Sequence, residues 1–109
     1  MTEPLVTVIV SSYNRPRLIR DALDSVLAQT WPLLQIIVAD DHSDASTQRV
    51  LDGYCDRCLH GPDGDHASLT VITPDGVPTS HERQFGPRTS ACINAAMLYV
   101  RGDFICYLP

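Results

Sequence analysis

The sequence has little positive charge. Its eight Lys and Arg residues are outnumbered by thirteen Asp and Glu residues, which gives a formal net charge of −5 at pH 7. A protein that binds nucleic acid through its phosphates carries the opposite balance, so we predict no nucleic-acid partner. The acidic balance does not exclude a single phosphate ligand, because backbone N–H groups and one or two arginines can hold it locally.

Long apolar runs are also missing. No run approaches the roughly 20 residues that cross a bilayer, so we predict no membrane-spanning segment. There is no basic segment followed by an apolar one, as in a signal peptide. Nothing indicates secretion, so the four cysteines are predicted to be free thiols in a reducing compartment. Cys92 and Cys106 lie among apolar residues and are expected in the core.

Two common phosphate-binding motifs are absent. No Gly-x-Gly-x-x-Gly follows the first predicted strand, which argues against a dinucleotide-dependent oxidoreductase. No Walker-type Gly-Lys-Ser/Thr is present either. Any nucleotide site in this chain must therefore use other residues.

The pattern that is present alternates strands and helices. With 44% apolar and 19% charged residues, the 109 residues are predicted to form a single domain, 1–109. Apolar β-branched runs predict strands, and apolar residues at helical spacing predict helices. The predicted strands are 5–10, 35–39, 69–73 and 104–108, the last of them buried; the predicted helices are 17–29, 43–54 and 88–100. This order predicts an α/β fold, a Rossmann-like three-layer α/β/α arrangement around a mainly parallel sheet.

Ligands of such sheets bind at the carboxyl ends of the strands, where the strand order reverses. Ser11 to Asn14 follow the first predicted strand, and the turn-and-cap alternative makes Asn14 the N-cap of the first helix, before Pro16 in its first turn. Asp40 and Asp41 follow the second strand and are expected to leave it on opposite sides. Their alternative role is a helix N-cap cluster, with Asp41 or Ser43 satisfying unpaired N–H groups of the helix. Ser43 or Asp44 is expected to cap the second helix.

Two further groups of residues have a candidate function. Arg88 begins the third predicted helix and is placed to reach a diphosphate as a fork donor, although a solvated surface arginine is the ordinary case. Cys55, Cys58, His60 and His66 are chemically competent for tetrahedral zinc, but their spacing is compressed and the cysteine pair lies at a helix end. Their alternative is a half-buried helix end followed by a soluble loop.

Three passages, residues 8–16, 23–44 and 88–108, occur in an order and spacing that resemble a known family. The chain resembles the inverting glycosyltransferases of family two, which have the A-type (GT-A) fold. Only residues 52–87 lack clear correspondence. The resemblance implies the nucleotide-binding half of that fold.

The resemblance also implies roles for individual residues. Ser11 and Tyr13 would line the nucleoside pocket of a nucleotide-sugar donor, with Tyr13 against the base. Asp41 would bind the uracil or the adjacent nucleoside face, and Arg88 would approach the diphosphate. The donor would be a UDP-sugar, the acceptor is open, and the location would be cytoplasmic or at the cytoplasmic face of the membrane.

The catalytic parts of that family are expected outside this sequence. Its Asp-x-Asp motif, which holds a divalent Mn or Mg ion, is expected after Pro109, and the catalytic base would lie further on. We therefore expect a truncated form that holds no metal and has no transferase activity alone. The alternative is a non-catalytic α/β interaction or assembly module, and homo-oligomers are expected through surfaces exposed by truncation.

Overall fold

Seven elements alternate along the chain in a computed structural model, which describes residues 4–29, 31–41, 43–61, 64, 66–73 and 89–108, with only the backbone for 89–92. The strands are β1 (Val6–Ser12), β2 (Leu34–Asp40), β3 (Ala67–Ile72) and β4 (Phe104–Leu108), and the helices are α1 (Pro16–Leu27), α2 (Ala45–His60) and α3 (Thr89–Met97). Every predicted element is present. Only the ends differ, most of all in α2, which continues to His60.

The four strands form one parallel sheet in the order β3-β2-β1-β4. All seven residues of β2 are buried, which explains its unbroken apolar sequence. The order runs outward from β1 to β2 and β3 on one side and to β4 on the other. The reversal therefore lies between β1 and β4, which places a ligand crevice at the carboxyl ends of these strands.

Helices cover both faces of the sheet. Val8 and Val10 of β1 face α1 and α2 and pack in one core with Leu23 of α1 and Leu51 of α2. Ile9 of β1 faces the other side, where it packs with Ile37, Ala39 and Ala96 of α3. This is the predicted three-layer arrangement, and it assigns the odd-numbered residues of β1 and β2 to the face under α3.

Buried polar groups tie the start of β4 to the amino end of the sheet. Thr7 Oγ1 donates to Gln35 Oε1 (2.7 Å) and accepts from Gly102 N (2.9 Å), while Arg101 N donates to Gln35 Oε1 (2.8 Å). A Cβ at Gly102 would lie 2.3 Å from Thr7 Oγ1 and 2.7 Å from Thr7 N, so only glycine fits. Asp103 accepts from Leu5 N (3.0 Å). These contacts fix where β4 begins.

The prediction that 104–108 is a buried strand is wrong. β4 pairs only with β1 among the described strands, and Phe104, Ile105 and Tyr107 are 62%, 47% and 44% exposed. Cys106, expected in the core, is also exposed. The apolar composition of β4 matches that of β2, and composition alone does not distinguish an edge strand from a central one.

Apolar spacing predicts an inner face of the third helix made of Ala91, Cys92, Ala95, Leu98 and Tyr99, and this prediction is partly wrong. Leu98 and Tyr99 are exposed, because α3 ends at Met97 and both residues lie in the turn beyond it. Among the side chains of this helix that the structure describes, Ala96 is fully buried and Ala95 is half-buried. The side chains of Ala91 and Cys92 lie outside the described residues.

Candidate functional site at the carboxyl edge of the sheet

The loops that follow β1 and β2 are bound to each other. Asn14 N donates to Ser43 Oγ (3.0 Å), and Asp44 N donates to Asn14 Oδ1 (2.6 Å). Asp41 N donates to Ser12 O (2.9 Å), which continues the strand pairing one residue beyond β2. The two loops therefore form one connected rim at the carboxyl edge.

Asn14 has a different role from the predicted one. It is not the N-cap of α1; Arg15 occupies that position without a side-chain cap, and Pro16 is the first helical residue as predicted. Asn14 has a positive φ of 48°, a conformation that asparagine tolerates better than most residues. This backbone turn aims its side chain at α2 rather than at α1.

Asp44, one of the two predicted candidates, is the N-cap of α2. Its side chain accepts from Thr47 N (3.1 Å) and from Ser46 Oγ (2.8 Å). The hydrogen bond from the Thr47 backbone, followed by that from Ser46, lowers the pKa of the Asp44 carboxyl. The capping role thus belongs to Asp44 and leaves Asp40 and Asp41 for other contacts.

Asp40 is the anchor of the second loop. It is fully buried, and its carboxylate accepts from Ser43 N (3.1 Å), Ser43 Oγ (2.5 Å) and Gln48 Nε2 (2.7 Å). By strand alternation its side chain lies on the α2 side of the sheet. Three donors on one buried carboxylate make Asp40 a structural residue that holds this loop against α2.

Asp41 comes next in the chain and has the opposite parity. It is 2% exposed, and the alternation that places Ile37 and Ala39 under α3 directs it toward the same face. The two adjacent carboxylates are thus expected on opposite sides of the sheet, and the contacts of Asp40 agree with this. Ala39 and Ser11 stand opposite each other in the β1–β2 register, and both have small side chains.

Ser11 lies where the strand order reverses. Its Oγ is 2.8 Å from the Tyr107 hydroxyl of β4, and either group can be the donor. Tyr107 stands opposite Ile9 in the register, so Ser11 and Tyr107 are diagonal neighbours on the α3 face. Sequence reasoning missed Tyr107, although its position near the carboxyl end of the last strand was a usable signal.

The remaining predicted site residues are Tyr13 and Arg88. Tyr13 follows β1 and is half-buried. Ser12 faces α1 and α2 by alternation, and its buried Oγ has no hydrogen-bond partner among the described residues. Arg88 lies outside the described residues. The structure therefore brings Ser11 and Tyr107 into contact, places Asp41 directly after β2 at the same edge of the sheet, and leaves Arg88 as a prediction.

Metal ligands do not cluster in the part of the chain that the structure describes. No group of three or more His, Cys, Asp or Glu side chains could hold an ion there. Cys58 is buried in the α1–α2 core, and burial raises the pKa of the Cys55 thiol, which opposes the thiolate that zinc requires. Asp63 and Asp65 have the Asp-x-Asp spacing, but they lie outside the described residues.

The fold and site agree with a comparison against known families. The model of glycosyl transferase family 2 matches residues 7–108. The chain belongs to this family. The match begins within β1 and ends with β4, so it includes every element that forms the rim.

Individual proteins are also similar in sequence to this family 2 glycosyltransferase chain. It is 33% identical to Protein CgeD of Bacillus subtilis (strain 168) over 103 residues, which cover 94% of this chain and 22% of CgeD. It is 41% identical over 57 residues to the uncharacterized glycosyltransferase RT0329 of Rickettsia typhi, covering 52% of this chain and 18% of that protein. The chain thus spans about a fifth of the length of these relatives.

A solved structure shows the same fold. The mannosyltransferase PcManGT from Pyrobaculum calidifontis, in complex with GDP-Man and Mn2+, superimposes with a TM-score of 0.63 at 26% identity. The match covers 95% of this chain and 26% of the mannosyltransferase. The chain therefore has the predicted α/β architecture, corresponding to part of a GT-A glycosyltransferase. Within its described residues, no helix is both long and apolar enough to cross a membrane.

Proposed function

We propose that this chain binds the nucleotide part of a nucleotide-sugar donor and forms the donor-binding part of an inverting glycosyltransferase, with UDP-sugar as the preferred donor. One observation carries the proposal. Asp41, buried and joined to β1 through Ser12 O, lies at the same edge of the sheet as Ser11, beside the reversal of strand order. The mannosyltransferase neighbour, solved with a sugar nucleotide, supports it.

Each proposed residue contributes a different kind of contact. Tyr13 offers an aromatic face for stacking on the base. Asp41 accepts from the uracil N–H or from a ribose hydroxyl. Ser11 is small and lets the nucleoside approach the strand end. Arg88 donates as a fork to the diphosphate oxygens, which suits the geometry of a guanidinium.

The chemistry of transfer is proposed to need more than residues 1–109. In an inverting reaction, a base deprotonates an acceptor hydroxyl, and that oxygen attacks the anomeric carbon as the nucleoside diphosphate leaves. A divalent Mn or Mg ion, when bound, would stabilise the charge on the leaving diphosphate. The described residues do not form a set that fits such an ion, so no step in this chain is assigned to it. We propose that the chain alone binds donor without turning it over.

Amide NMR tests the binding proposal directly. Isotope-labelled chain is titrated with UDP, with and without manganese, and the Asp41→Ala variant is titrated in parallel. We expect saturable shifts that cluster at residues 11–14 and 40–44, need no metal and are lost in Asp41→Ala. Asp56→Ala, at an exposed position on α2, is the matched control and should bind as the wild type does.

The outcomes separate the parts of the proposal. Absence of saturable shifts in a folded sample would contradict nucleotide binding. A titration with GDP in the same samples tests base preference, since the mannosyltransferase neighbour was solved with GDP-Man; tighter GDP binding would overturn the choice of uridine. Release of sugar from a UDP-sugar by the purified chain would overturn the proposed inactivity.

A second candidate function is a non-catalytic assembly module, favoured by the exposed edge of β4. Phe104 is 62% exposed, and a groove of about 390 Å³ opens between α1 and β4, lined by Val6, Val8, Ser25, Val26, Gln29, Trp31, Leu34, Cys106 and Leu108. An unpaired strand edge with apolar side chains promotes association between copies. Light scattering over a concentration series should then show a rising mass that Phe104→Glu abolishes.

The matched control for that experiment is Leu59→Glu. Leu59 is 76% exposed near the end of α2, away from β4, so a charge there should not change association. A constant monomer mass at every concentration would exclude the assembly candidate. Self-association together with nucleotide binding would leave the donor-binding proposal in place.

A further inference from the structure

The hydrogen bond between Ser11 and Tyr107 bridges the two strands on either side of the reversal. A serine hydroxyl at the end of a strand rotates among three staggered positions unless a partner selects one. The Tyr107 hydroxyl, 2.8 Å from Ser11 Oγ, supplies that partner. Because the Tyr107 side chain is 44% exposed, the pair stands at the edge of the crevice and not in the core.

The backbone of Tyr107 is held in place from the other end of β4. Gly102 N and Arg101 N bind Thr7 Oγ1 and Gln35 Oε1, side chains that are at most 4% exposed. The five paired residues of β4 then carry Tyr107 to the level of Ile9. The phenol is thus aimed from a fixed strand at the hydroxyl of Ser11, a residue of the proposed nucleotide site.

Two hydroxyls that share one hydrogen bond still offer a ligand more than either alone. One proton lies between the oxygens, and the other remains available for donation, while lone pairs on both oxygens can accept. The pair therefore presents a donor and an acceptor side by side. A nucleoside carries matching groups on its base edge and its ribose.

We propose that Tyr107 is a positioning residue of the nucleotide site: its hydroxyl orients the Ser11 hydroxyl, and it is through Ser11 that the hydrogen-bonded pair contacts the nucleoside. The inference rests on the proposed nucleotide binding and adds a residue to it. The inference differs from a purely structural role for the phenol. Tyr107→Phe tests the difference, because it keeps the ring and the strand and removes one oxygen.

A double-mutant cycle measures this directly. UDP affinity is determined by calorimetry for the wild type, Tyr107→Phe, Ser11→Ala and the double variant, with thermal unfolding of each as the check of the fold. We expect Tyr107→Phe to weaken UDP binding about three- to tenfold, the value of one lost neutral hydrogen bond, with unchanged unfolding temperature. In the Ser11→Ala background the same change should matter less than about twofold, because the partner is already gone.

Two further variants sharpen the result. Tyr99→Phe removes an exposed phenol at the opposite edge of the sheet, where Tyr99 O accepts from Gln35 Nε2, and should bind UDP as the wild type does. Ser11→Thr keeps a hydroxyl and should keep the sensitivity to Tyr107→Phe. A loss of stability alone would not make the effect of Tyr107→Phe on UDP affinity depend on a hydroxyl at residue 11.

The outcomes distinguish this inference from the function beneath it. If the wild type binds UDP and Tyr107→Phe binds it equally well, or if the two losses simply add, Tyr107 does not act through Ser11 and the inference is overturned while the function stands. If the folded wild type binds no nucleotide, the proposed function fails and the inference falls with it.

Discussion

Replacement of Asp40 tests whether one buried carboxylate holds the rim of the site. Asp40→Ala leaves Ser43 N, Ser43 Oγ and Gln48 Nε2 without their acceptor. Hydrogen bonds to a charged group contribute about 1.5–3 kcal/mol each. Ser43 and Gln48 are only half-buried, so water replaces part of the loss, and the cost of burying the charge also disappears. We expect a net loss of about 2–4 kcal/mol in the free energy of unfolding.

The isosteric change Asp40→Asn should cost less, for a geometric reason. Ser43 N and Gln48 Nε2 share Oδ2, whereas Oδ1 accepts only from the Ser43 hydroxyl. An amide with its oxygen at the Oδ2 position keeps both nitrogen donors, and the hydroxyl can rotate to accept from the amide nitrogen. What remains is the loss of charge, about 1–2 kcal/mol.

Urea unfolding followed by circular dichroism measures the free energy of unfolding and so tests whether Asp40→Ala costs more than Asp40→Asn. With a slope of about 1 kcal/mol per molar urea, Asp40→Ala should lower the midpoint by about 2 M or more, and Asp40→Asn by about half as much. Asp52→Ala, at an exposed position on α2, should stay within about 0.5 kcal/mol of the wild type. Equal stability of Asp40→Ala and Asp52→Ala would refute the assignment of Asp40 as the anchor.

Two other sites give predictions with internal controls. Gly102→Ala places a Cβ 2.7 Å from Thr7 N and 2.9 Å from Leu5 O, so urea unfolding should show a loss of about 3 kcal/mol or more. Gly53→Ala, which meets nothing within 4 Å in the middle of α2, should gain about 0.5–1 kcal/mol; similar effects at both glycines would contradict the close approach of β4 to β1. Burial, followed by the hydrogen bond to Asp24, raises the pKa of Tyr54 to about 12 from 10.0. The raised pKa of Tyr54 contributes stability that is complete below pH 10 and is lost as the pH rises toward 12. The free energy of unfolding should therefore fall across that range, and Tyr54→Phe should remove this part of the pH dependence. An alkaline profile unchanged in Tyr54→Phe would refute it.

The fold was predictable because local signals and connectivity agree. Apolar runs of strand length between amphipathic helices allow few arrangements other than a parallel sheet with covered faces. What failed was the environment of β4. Phe104 to Leu108 have the composition of a central strand, and whether a strand is central depends on neighbours far away in the sequence.

The candidate site was predictable in position and less so in detail. Strand ends predicted where Ser11 and Asp41 would lie, because the carboxyl ends of parallel strands share one edge. The contacts of Asn14 and Tyr107 were not predictable in this way, although the strand-end argument does place Tyr107 at the same edge. Asn14 binds Asp44 across two loops, and Tyr107 meets Ser11 from 96 residues away in the chain, so neither contact has a local signature.

The position of β1 between β2 and β4 sets an order of events during synthesis. Leu5 N donates a hydrogen bond to the side chain of Asp103, which lies 98 residues later in the chain. At a synthesis rate of roughly 5–20 residues per second, Asp103 follows Leu5 by about 5–20 s. During that interval β1 can pair with β2 on one side while its other edge stays open to any nearby strand. The ribosome-bound intermediate is therefore an incomplete sheet in which the edge of β1, and not yet that of β4, is the vacant one.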